Sequence, residues 1–209
     1  MGKFSINKII RILIGADFIF LSALGLIAPI FAVFIIGQIK GGTVEVVGFA
    51  AAIYWIAKSI FEMPIGRFLD KVKGEKDDLY FLVIGYLIVA CVHFGYMLIS
   101  LPWQLYVLEG IYALGMAMAL PSWSAIFTRH IDRGKEGFEW SVEHTAYSMG
   151  MGITGAIGGI LAVKFGFNIV FLITGFIAML GGLLPLFIIK DVKRHGDHHL
   201  RFIDKLWGR

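Results

Sequence analysis

Six long apolar runs separated by short connections constrain this chain more than any other feature. They are Ile12–Ile36, Val44–Ile65, Leu79–Ser100, Trp103–Thr128, Trp140–Val163 and Ile169–Ile189. Each is near or above the roughly 20 residues that a helix needs to cross the hydrocarbon of a bilayer. Lipid offers no partners to free backbone N–H and C=O groups, so each run must be helical. Composition enters here as a check. The 209 residues are 58% hydrophobic and 16% charged, with a mean hydropathy of +0.79. A soluble domain is about 45–50% apolar and about 25% charged. The expected fold class is therefore an all-α membrane protein with six transmembrane helices over residues 1–190, followed by a tail at 191–209.

The positive charges orient it. Of the 19 Lys and Arg, all but Lys40, Lys58 and Lys164 fall in the N-terminus, the second and fourth connections, or the tail. That bias predicts a cell-membrane protein with both termini in the cytoplasm. The cations lie between apolar runs rather than on one face, so the formal charge of +4 gives no reason to expect nucleic acid. The first run lacks a small-residue cleavage site and reads as a retained helix. Cys91 is alone, so no disulfide framework is expected. In the tail, Leu200, Ile203, Leu206 and Trp207 recur at helical spacing beside Arg201, Lys205 and Arg209, as in a short helix on an anionic surface. His195, His198 and His199 precede it as a solvated polar cluster.

Ionisable residues inside apolar runs are functional candidates, because charge in hydrocarbon is costly. Asp17 and Glu109 have no partner three or four residues away on their own helices. Lys58 and Glu62 are four apart on one face and can neutralise each other. These four are the candidate coupling or substrate residues. His93 reads as a packed histidine, and Glu143 and His144 as interfacial. Tyr54, Trp55, Tyr112 and Trp123 are embedded and pack the core or line a cavity for an amphipathic or aromatic solute. Asp17 precedes Pro29 by the spacing at which Glu109 precedes Pro121, an echo that fits a three-plus-three inverted repeat. Gly155, Gly158 and Gly159 of the fifth run let helices approach closely. No phosphate-binding glycine loop and no zinc spacing is present, so no enzymatic chemistry, cofactor or metal is expected.

The charged connection Gly66-Arg67-Phe68-Leu69-Asp70-Lys71 resembles the helix 2–3 signature of the major facilitator superfamily, with Lys73 where that family usually has glycine. Asp132-Arg133-Gly134 resembles the arginine–glycine pair before the fifth helix. Gly155-Ala156-Ile157-Gly158-Gly159 resembles the fifth-helix glycine pattern with alanine for proline. Gly166-Phe167 resembles the entry to helix six. In the fourth run Gly115 and Pro121 fit, while Ile111 stands where the family has arginine. Together these resemble the amino-terminal half of such a transporter over nearly the whole chain.

The resemblance implies transport of a small solute by alternating access, with Gly66, Arg67, Asp70 and Lys71 as a gating loop. The implied bundle works with a second one, either a copy of itself or a complementary half. The rival reading is a non-transporting six-helix scaffold or assembly partner.

Overall fold

The computed structural model describes residues 6–71 and 74–192. Among them are seven α-helices and no strand. They are α1 (Lys8–Gly25), α2 (Phe31–Gln38), α3 (Val44–Lys71), α4 (Lys76–Tyr96), α5 (Pro102–His130), α6 (Glu136–Phe165) and α7 (Phe167–Leu183), with a 3₁₀ turn at Leu184–Ile188. Five stretches are long and apolar enough to cross a membrane: α3, α4, α5, α6, and α7 with its 3₁₀ turn.

The first apolar run differs from expectation, because α1 and α2 divide it. Pro29 has no N–H to donate, and its ring would meet the carbonyl four residues back. The chain instead tightens into short-range bonds, with Leu26 N–H donating to Ala23, Ile27 to Leu24 and Ile30 to Ile27. Pro121 has no such effect and lies within α5. The second expected run also differs. Instead of ending at Ile65, α3 continues to Lys71, so Gly66, Arg67, Asp70 and Lys71 occupy its last turns rather than a loop. Charge ends an apolar run, but backbone hydrogen bonding continues through residues such as Arg and Lys that favour helix. The tail beyond Val192, with its histidines and its amphipathic pattern, lies outside the described residues.

The helices pack in a relay. α3 packs on α5, α5 on α4, α4 on α7, α7 on α1, and α1 on α6. α1 and α5 meet more lightly in the middle, and the flanking helices α3 and α6 do not pack on each other. The result is an open face floored by α1 and α5. Two apolar clusters fill the bundle behind it. One gathers Phe20, Leu82 and Phe127, and the other Phe34, Leu105 and Phe171.

Close crossings need small residues where lipid supplies little hydrophobic drive. At Gly158 a Cβ would overlap the Leu26 carbonyl, and at Gly150 the Ser22 hydroxyl. A Cβ at Gly155 would stand 3.4 Å from the Pro29 ring, whereas one at Gly159 would meet open space. Gly85 and Gly115 let α4 and α5 approach, each standing where a side chain would strike the other's carbonyl. Gly166 has φ +81° and both ends α6 and starts α7, a conformation that a Cβ would strain.

One end of the bundle is rich in ionic contacts. Asn7 caps α1 by accepting from the Ile10 N–H at 3.0 Å, and its amide donates to the His130 carbonyl at 2.6 Å. Lys8 pairs with Asp191 at 2.7 Å, joining the two described ends of the chain. Arg129 on α5 pairs with the buried Asp78 on α4. In the connection between α5 and α6, the Lys135 ammonium and the Asn7 amide hold the Asp132 carboxyl below the usual carboxylate range. At the opposite end, the Lys40 N–H donates to the Ser100 carbonyl at 2.9 Å.

Candidate functional site

Two cavities open on the face between α3 and α6. The cavity nearer the ionic end has a volume of about 230 Å³ and is lined by Asp17, Tyr86, Trp123, Trp140, Glu143 and His144, among others. The far cavity has a volume of about 320 Å³ and is lined by Phe31, Tyr54, Trp55, Tyr96, Glu109 and Tyr112, among others. Leu21 of α1 lines both.

Each cavity holds a buried carboxylate bonded to a tyrosine of α4. Tyr86 donates its hydroxyl proton to Asp17 at 2.5 Å, and Tyr96 donates to Glu109 at 2.7 Å. Asp17 is 8% exposed and Glu109 5%. A hydroxyl bond satisfies part of a carboxylate that burial would otherwise leave unpaired. Glu143 of α6, itself buried, lines the same cavity as Asp17. His144 contacts Glu143 at 3.3 Å from the exposed side. The buried Trp123 indole N–H has no protein partner, and its ring lines the same cavity.

Asp17 and Glu109 thus face the cavities, but separate ones. Lys58 and Glu62 are bonded to each other at 2.8 Å and line neither. Lys58 also stands 5.9 Å from the centre of the Trp55 ring. Asp70 and Lys71 are exposed at the end of α3, with Arg67 one turn earlier. His93 gives its Nδ1–H to the Val89 carbonyl at 2.8 Å, while its ring borders the far cavity. Among the described residues no group of three or more His, Cys, Asp or Glu could hold a metal ion.

Sequence reasoning missed the partners of the carboxylates. Tyr86 and Tyr96 are ordinary aromatic residues until the α4 register is known. Glu143 reads as interfacial because it lies near the start of α6. A signal was available: Glu139, Glu143, Gly150 and Gly158 are the buried residues of α6, at spacings of four, seven and eight. Those intervals define one helical stripe.

The fold and the paired cavities can be set beside known proteins. The model of the Major Facilitator Superfamily matches residues 13–205. The chain belongs to the major facilitator superfamily. A curated relative, an uncharacterized MFS-type transporter of Methanocaldococcus jannaschii, is 23% identical over 192 residues. The alignment covers 92% of this chain and 48% of that protein, so the chain spans about half the length of the curated relative it matches. Superfamily membership agrees with the multi-pass membrane architecture and with transmembrane transport as the family's activity.

Proposed function

We propose that this chain is a six-crossing bundle of a secondary transporter, moving a small solute across the cell membrane by alternating access. The observation that carries this reading is the open face. α1 and α5 present two cavities with buried carboxylates, and the flanking α3 and α6 leave most of their apolar side chains exposed. A second bundle, either another copy or a complementary half, would cover that face and complete the pathway.

Six crossings are supported by the Lys8–Asp191 pair, because contacting ends require an even number. α3 to α7 supply five, and α1 with α2 the sixth. The five pairs of the relay map onto one another when the first three crossings are exchanged with the last three, which supports an inverted repeat. The charge bias supports a cytoplasmic position for the ionic end.

Asp17 and Glu143 are the proposed coupling pair, exchanging a proton as the pathway changes access. Proteoliposomes with an imposed pH gradient and a panel of labelled solutes test the reading. Flux no greater than in empty vesicles would reject it. In Asp17→Asn, gradient-driven accumulation is expected to fall about tenfold or more while downhill exchange persists, in line with a lost proton-transfer group. Equal loss of both would assign Asp17 to packing instead.

Asp70, Gly66, Arg67 and Lys71 form the proposed gate at the end of α3. Asp70→Asn is expected to reduce transport while leaving membrane insertion intact. Rates equal to the unsubstituted protein would remove the gating role.

A further inference from the structure

Among the described residues, Glu109 is the one acidic side chain lining the far cavity, and no Lys or Arg lines it. Around it are rings and hydrocarbon. Tyr54 and Tyr112 approach across α3 and α5 with centroids 5.2 Å apart, and Trp55 adjoins Tyr54 at 5.0 Å. The nearby cation Lys58 is paired with Glu62, yet it also approaches the Trp55 ring. Aromatic faces attract cations through their quadrupoles, most strongly where water is excluded. A buried carboxylate, once ionised, adds a full counter-charge. An anion would meet Glu109 with no compensating cation. A polyhydroxylated neutral solute would leave most of its hydroxyls against hydrocarbon.

We propose that the far cavity binds a lipophilic organic cation, with its charge beside Glu109 and its apolar groups against Tyr54, Trp55 and Tyr112. The volume of about 320 Å³ lies within the range of small-molecule sites. This inference rests on the transport reading for its biological meaning, so binding is measured apart from flux.

The probes are tetraphenylphosphonium and tetraphenylborate, ions of matched shape and opposite charge, in equilibrium dialysis against the purified full chain in nanodiscs. Empty nanodiscs correct for partitioning. Saturable binding of the phosphonium and none of the borate is expected. Glu109→Gln should weaken phosphonium binding about tenfold or more without admitting the borate. Trp55 is 61% exposed, so Trp55→Leu gives a second variant that spares the core and should weaken binding severalfold. Melting curves verify that both variants fold. Equal binding of the two ions, phosphonium binding indifferent to both substitutions, or no phosphonium binding by the unsubstituted chain would overturn the proposal. Glu109-dependent binding without solute flux in proteoliposomes would uphold the cation site and count against the transport reading.

Discussion

Gly158→Leu is expected to destabilise the bundle by about 1–3 kcal/mol, the usual cost of forcing extra atoms into a packed interface. A Cβ at Gly158 would overlap the Leu26 carbonyl. That obstacle is backbone, so no rotamer change relieves it, and α6 must move away from the end of α1. Such a shift also separates Gly150 from Ser22 and Gly155 from Pro29 along the same stripe. Gly159→Leu is the control. Its Cβ meets nothing within 4 Å, and the change is expected to stay within about 0.5 kcal/mol. Unfolding of both variants in mixed micelles measures the contrast. Equal stability would mean that the α1–α6 crossing does not depend on close approach at Gly158.

Arg129→Ala is expected to cost about 3 kcal/mol, toward the lower end for breaking a buried ion pair, because Arg129 is partly exposed. The larger share comes from Asp78, which is 0% exposed and loses its cation. One Asp78 oxygen, Oδ1, already lacks a hydrogen-bond partner, so the remaining carboxylate would be poorly compensated. Asp78→Asn in the Arg129→Ala background removes the stranded charge and should recover part of the loss. A double-mutant cycle followed by thermal unfolding provides the reading. Additive effects would show that the pair is not coupled and that the cost lies in packing.

Much of the helical layout is legible from hydropathy, since the bilayer requires long apolar helices. The α5 limits of Pro102–His130 differ from the expected Trp103–Thr128 by only one or two residues. Hydropathy fails at Pro29 and at Gly66–Lys71 for opposite reasons. At Pro29 the side chains remain apolar while the backbone loses a donor. At Gly66–Lys71 the side chains become charged while backbone bonding continues. Asp17 and Glu109 stand out in sequence because each is a charge in an apolar run. Their tyrosines do not, because the contacts of α4 with α1 and with α5 depend on the rotation of all three helices, and one sequence does not fix that. Glu143 shows the same limit: its depth along α6 is legible, but its place in the cavity with Asp17 follows from the glycine stripe packing on α1.

The interruption between α1 and α2 has a mechanical consequence. Ile27 and Ala28, in the turn, form part of the far cavity's wall beside Phe31 at the start of α2. An unbroken helix acts as a strut and transmits a displacement along its length. A short turn can absorb displacement through its backbone torsions. The far cavity therefore has a compliant edge set among stiff ones, and its mouth can adjust to occupants of different girth while the α1 segment carrying Asp17 keeps its bond to Tyr86.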